Sequence, residues 1–121
     1  MGVLDGVRVI DFGRYIAGPY CGALLGDLGA EVIRVERVDG GEDRWITPVT
    51  SDGVGAMYLQ CNRGKRGMTL DVGKPEGRDV VARLVRSADV VIANLPAATL
   101  RGMGLDYERK FSYYAAGEAD R

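Results

Sequence analysis

Three short polar stretches in this sequence could do chemistry, and each sits at the end of an apolar run. Glu36-Arg37 closes the run EVIRV, Arg14 lies in the turn FGRYIAGP, and Asn94-Leu95-Pro96 ends the run DVVIA. A fourth, NRGKRG from Asn62 to Gly67, packs three cations between apolar segments. In nucleotide-binding α/β folds an acid at the end of the second strand takes ribose hydroxyls, and a neighbouring arginine takes a phosphate on that ribose. An arginine fork binds phosphate bidentately, which a lysine does not. The plainer alternative for Glu36-Arg37 is a surface ion pair worth well under about 1 kcal/mol. For the basic turn the alternatives are a pyrophosphate cradle or simple solvation. Asn94 can bond a base or cap a strand.

The sequence contains no histidine. A Ser-His-Asp triad, a Cys-His pair or a histidine-bearing zinc site therefore cannot be assembled from these residues. The 16 basic and 17 acidic residues leave a net charge of -1, which gives no electrostatic case for nucleic acid or an anionic membrane. Hydrophobic residues make up 46%, enough for a globular core. Cys21 and Cys61 lie in apolar stretches and read as buried, reduced thiols. No apolar run reaches the roughly 18 residues of a membrane span. The expectation is a soluble cytoplasmic protein.

The elements that must position these groups follow from pattern. Val7, Val9 and Ile10 suit a buried parallel strand that Asp11 ends. Pro19 suits the first turn of a helix whose apolar face is Cys21, Leu24, Leu25 and Leu28, with Gly29 as the stop. Glu31–Val35 reads as the second strand. Residues 39–55 form a long polar loop. Ala56–Cys61 reads as a short helix and Met68–Val72 as a third strand. Pro75 opens a helix that buries Val80, Val81, Leu84, Val85 and Ala88. Asp89–Asn94 is the fourth strand, and Leu100–Leu105 makes one helical turn. Alternating strands and helices predict an α/β fold with an open, Rossmann-like, mostly parallel sheet. The first turn lacks the second glycine of the dinucleotide fingerprint.

Taken in order, LDGVRVIDFGRYIAGPY, LLGDLGAEVIRVER, GGEDR, NRGKRGMTLDV, KPEGRDVVARLVRSADVVIAN and GMGLDYE resemble the N-terminal part of the family III CoA-transferases. That family includes the carnitine CoA-transferase and bile-acid-inducible F types, formyl-CoA transferase and α-methylacyl-CoA racemase. The resemblance runs from Leu4 to Glu108. It implies a CoA-binding N-terminal domain over residues 1–108, partial relative to the full family fold, with 109–121 a divergent tail. It makes Arg37 the phosphate-binding arginine. It places Ile16 and Ala17 on the cofactor path. Leu70, Asp71, Val72 and Gly73, with Asn94, Leu95 and Pro96, then surround the nucleotide. Arg14 stands where relatives often have histidine, Leu95 where they often have an aromatic, and Gly102 where some have a basic residue.

The resemblance further implies transfer of CoA between carboxylic acids through an aspartate that attacks the acyl-CoA thioester. No residue here matches that aspartate, so the expectation is a chain truncated before it and inactive alone. The alternatives are an α-methylacyl-CoA racemase relative, a stand-alone or split CoA-binding module, or the product of a disrupted gene. The implied partners are acyl-CoA or CoA, with a homodimer or a separately encoded C-terminal half.

Overall fold

The structure is a computed structural model that describes residues 2–46 and 48–108. Four strands, β1 (Arg8–Asp11), β2 (Glu31–Glu36), β3 (Arg66–Thr69) and β4 (Val90–Ile92), form one sheet in the order β3-β2-β1-β4. All three pairings are parallel. The fold is thus the open α/β sheet expected, and its order matches the first four strands of a doubly wound nucleotide-binding sheet. The helices are α1 (Ala17–Asp27), α2 (Ala56–Cys61), α3 (Pro75–Ser87) and α4 (Ala97–Met103), with a 3₁₀ turn at Glu42–Trp45.

Strand alternation divides the core in two. Ile10, Phe12 and Val35 face Val81, Val85 and Ala88 of the α3 side, with Met103 and Leu105 closing the cluster. Val9 and Val32 face the other way, packed with Ala30 and Leu25. Each such fully buried aliphatic contributes about 1.5–3 kcal/mol relative to exposure. Helix α3 follows its sequence signals. Pro75 opens it, Glu76 stands in the first turn and Arg86 in the last. Its Gly77 lies so close to the preceding turn that a methyl group there would run into the Asp71 carbonyl oxygen.

Several expectations are corrected. Helix α1 buries only part of the expected face: Leu25 packs against the Val9 and Val32 cluster, but Leu24 and Leu28 are 43% and 49% exposed, and Cys21 is exposed rather than buried. The face against the sheet is small instead, with Gly18, Pro19, Gly22 and Ala23 buried. The reason is close approach. The Pro19 carbonyl oxygen accepts a hydrogen bond from Lys65 Nζ at 2.8 Å. A Cβ at Gly22 would stand 3.1 Å from Asp11 Oδ2 and 3.2 Å from that same nitrogen.

Strand β3 begins at Arg66, two residues before the expected Met68, because its register is set by pairing Arg66 with Ile33 and Thr69 with Glu36. The residues after it, Leu70–Gly73, are a turn out of the sheet. Strand β4 is limited to Val90–Ile92, since only those residues pair with β1. Helix α4 starts at Ala97, three residues before the expected turn, and ends at Gly104 with φ +75°. The polar loop contains the 3₁₀ turn, and Ala56–Cys61 is helical as expected. The tail at 109–121 lies outside the described residues.

Candidate functional site

The carboxyl ends of the four strands carry the polar groups, and β2 supplies most of them. Val32, Arg34 and Glu36 alternate onto the α1 side of the sheet. Arg34 is 1% exposed. Its Nη2 donates to both carboxylate oxygens of Asp43 at 2.8 Å, its Nε to Glu36 Oε1 at 3.1 Å and its Nη1 to Asn62 Oδ1 at 2.8 Å. A buried guanidinium is tolerable here because carboxylates and an amide receive its hydrogens.

Glu36 is equally occupied. Arg44 donates to both its oxygens at 2.7 and 2.8 Å, and the Gly41 N–H donates to Oε2 at 2.7 Å. Burial alone would raise its pKa. The bonds from Arg44 and Gly41, with the charge of Arg34, outweigh burial and bring it down to about 2. Tyr58 covers the group: its ring lies under the Arg44 guanidinium at 4.1 Å, and burial together with Glu36 raises its phenol. Glu36 therefore pairs with Arg34 and Arg44, not with Arg37, and its oxygens are already taken up.

A second buried pair sits under α1. Lys65 Nζ donates to Asp11 Oδ2 at 2.7 Å and to Asn62 Oδ1 at 2.8 Å, and the other Asp11 oxygen accepts the Gly13 N–H. Burial lowers the Lys65 ammonium below its ordinary value, and the contact with Asp11 opposes that. The basic stretch is thus neither a phosphate cradle nor a solvated turn as a unit. Lys65 is structural, Arg63 pairs with Asp27 at the surface, and Arg66 is in β3 against Glu31.

These two networks hold the turn between β1 and α1. Asn94 accepts from the Arg14 N–H at 2.7 Å and donates to the Arg14 carbonyl at 2.8 Å, so its carboxamide acts as a peptide partner. The Tyr15 N–H donates to Asp43 at 3.2 Å, and Tyr15 is held at φ +64°, which costs a side-chain-bearing residue on the order of 1–2 kcal/mol. Arg14 Nη1 gathers the carbonyls of Phe12, Gly13 and Val35.

On the opposite side of the sheet, a cavity of about 210 Å³ opens at the strand ends. Phe12, Val35, Leu70, Val72, Leu95 and Met103 give it apolar walls, and Arg14, Arg37, Glu42 and Thr99 edge it. At that volume it is smaller than the roughly 300 Å³ at the low end of sites for whole ligands. A shallow groove adjoins it, lined by Arg37, Val38, Asp39 and Leu70 to Gly73. Arg37 is exposed and borders both, and among the described residues its one ion pair is with Asp39 at 3.5 Å.

Of the residues singled out in the sequence, Arg37, Leu70, Asp71, Val72, Gly73 and Leu95 come together around these two hollows. Asn94 contributes through Arg14. Ile16, Ala17 and Pro96 are exposed and line neither hollow. Sequence reasoning passed over Arg34, Asp43, Arg44 and Tyr58. The available signal was the charged residue inside EVIRV, which needed a buried acid elsewhere.

The sequence profile of CoA-transferase family III matches residues 4–112. The chain belongs to CoA-transferase family III. It is 46% identical to the succinate–glutarate CoA-transferase of Agrobacterium fabrum, over 87% of this chain and 28% of that protein. It is 44% identical to the succinyl-CoA:mesaconate CoA-transferase of Haloarcula hispanica, over 89% of this chain and 28% of that protein. The crystal structure of a CAIB/BAIF family protein from Brucella suis superposes with a TM-score of 0.85 at 43% identity, covering 93% of this chain and 31% of that one. This family III chain thus spans a little under a third of the length of the relatives it matches and corresponds to their N-terminal portion. Among its described residues no helix is long and apolar enough to cross a membrane.

Proposed function

We propose that this chain holds the nucleotide end of coenzyme A for a family III CoA-transferase. The observation that carries this reading is the apolar cavity at the strand ends with Arg37 on its rim, in a chain of that family. The adenine ring fits between the apolar walls. The Arg37 fork, exposed and only weakly engaged by Asp39, receives the 3′-phosphate of the ribose. Leu70 to Gly73 floor the adjoining groove, and Ile16, Ala17 and Pro96 flank the path of the rest of the coenzyme. The same reading gives the chain acyl-CoA or CoA as its small-molecule partner and the cytoplasm as its location.

The whole reaction is the reversible passage of CoA from one carboxylic acid to another, and we assign it to the full-length architecture that the relatives share. The named relatives use succinate, succinyl-CoA, glutarate or mesaconate, which supports short dicarboxylates as the acyl class. Within the described residues, the buried carboxylates Asp11, Glu36 and Asp43 are engaged by Lys65, Arg44 and Arg34. They serve the geometry of the site. We therefore propose that none of these three is the carboxylate nucleophile of the reaction and that the chain alone does not turn over.

Calorimetry with CoA and dephospho-CoA tests the binding reading. A charge-assisted bond to phosphate is worth about 1.5–3 kcal/mol, so CoA is expected to bind about tenfold or more tighter. Arg37→Ala should abolish the difference without unfolding the chain, because Arg37 is exposed. Equal affinity of the wild-type chain for the two ligands would sink the assignment.

A further inference from the structure

Among the described residues two arginines, Arg14 and Arg34, are buried, and they are treated differently. Arg34 faces carboxylates. Arg14, 8% exposed, has no carboxylate within ion-pair distance among the described residues. Among the described residues its side chain donates from Nη1 alone, to three neutral carbonyls, those of Phe12, Gly13 and Val35. Nε and Nη2 donate to nothing in the described chain, and the side chain lines the cavity.

The acids around it are committed elsewhere. Glu36 is held by Arg44, Arg34 and the Gly41 N–H, and Asp43 by Arg34 and the Tyr15 N–H. Glu42, on the rim, is exposed to water. A cation withdrawn from water without a contacting counter-charge is costly, and buried charges are ordinarily paired. Here the missing partner has a place to stand, because Arg14 lines a cavity with a second arginine, Arg37, on its rim.

We propose that the open edge of the Arg14 guanidinium receives a 5′-phosphate of the nucleotide in this cavity. The inference rests on the reading of the cavity as a nucleotide site and adds a second anion anchor to it. Arg14 lies in the turn between β1 and α1, where sheets of this strand order place a ligand's 5′-phosphates. Arg37, at the end of β2, takes the phosphate on the ribose. The two forks rise from neighbouring strands and together select an adenosine phosphorylated at both ends. Nη1, pinned by its carbonyls, fixes the plane of the Arg14 fork before the ligand arrives, so little side-chain freedom is lost on binding.

The test is calorimetry on the 121-residue chain with adenosine, adenosine 3′-phosphate, ADP and CoA, for the wild type, Arg14→Lys and Arg37→Ala. The wild type should bind ADP about tenfold tighter than adenosine. Arg14→Lys should remove most of that gain while leaving the ratio of adenosine 3′-phosphate to adenosine unchanged, and Arg37→Ala should do the reverse. ADP binding no tighter than adenosine in the wild type overturns the assignment, without need of any variant. So does an Arg14→Lys protein that loses all four ligands equally, since Arg14 would then only hold the strand ends. Should the lysine variant not fold, Arg14→Gln keeps a planar donor for the three carbonyls and is measured in the same way. Failure of the wild type to bind CoA or adenosine at all fells the nucleotide site itself. CoA binding with no 5′-phosphate gain fells only the role of Arg14.

Discussion

Replacing Glu36 by glutamine isolates one carboxylate whose charge the fold depends on. Its pKa moves from 4.5 to about 2 in the folded chain. At about 1.36 kcal/mol per pH unit, that displacement contributes about 3 kcal/mol. Because the folded value is depressed, the stabilisation is fully present above pH 4.5 and is lost as pH falls toward 2. Glutamine keeps the shape and cannot ionise. It also sets an amide N–H against one of the donors that now point at Glu36, the Gly41 N–H or Arg44. At pH 7 the variant should therefore be less stable by about 3 kcal/mol, a large part of the roughly 5–15 kcal/mol typical of a domain. The gap should shrink to about 1.5 kcal/mol at pH 3 and below about 1 at pH 2, where about half of the folded chain's Glu36 is already protonated. Other titrating groups are common to the two proteins and cancel in the difference. Urea denaturation followed by circular dichroism at pH 7, 5, 4 and 3 measures it, with unchanged slopes as the check that only stability has moved. A gap that stays constant from pH 7 to 3, or that is under about 1 kcal/mol at neutral pH, refutes the view that Arg44, Gly41 and Arg34 hold Glu36 ionised.

Two further outcomes test the packing. Gly77→Ala raises helix propensity by about 1 kcal/mol, yet its methyl group would press on the Asp71 carbonyl. We expect a net loss of about 1–3 kcal/mol and weaker CoA binding through the displaced 71–73 turn. An unchanged or higher melting temperature contradicts that contact. Leu24→Gln with Leu28→Gln should alter stability by no more than about 0.5 kcal/mol each in this chain, whereas Ala23→Leu, at a fully buried position, should cost about 1–3 kcal/mol. The opposite order in a thermal melt would restore the leucine face to the core.

The sequence shows the sheet more clearly than the site. Strands β1 and β2 and helix α3 are legible because apolar periodicity and end signals agree there, as with Pro75, Glu76 and the buried Val81 and Val85. Helix α1 is misread because its leucines repeat at helical spacing, while the decisive fact is that Gly18, Gly22 and Ala23 let the backbone settle over Asp11 and Lys65. That pair is 54 residues apart in the chain, and no local pattern reports it. Strand β3 takes its bounds from the register of β2 and not from its own hydrophobicity. Arg37 and Leu70 to Gly73 share one hollow because they follow the carboxyl ends of the adjacent parallel strands β2 and β3. Arg34 and Asp43 escape because a buried charge is explained only by its partner, which sits on a loop.

The clamp on Arg14 also sets an order of events. Asn94 reaches back across 80 residues to hold the backbone of Arg14, and β4 is the last strand to join the central β1. A nascent chain that has released residues up to about 90 can pair β1, β2 and β3, but its first turn has neither the carboxamide nor the neighbouring strand that fix it. Contacts of such long sequence separation form late, since the connecting chain must be closed before they give any return. The cavity at the strand ends, walled in part by Leu95, Thr99 and Met103, is consequently completed only after the segment beyond β4 has docked.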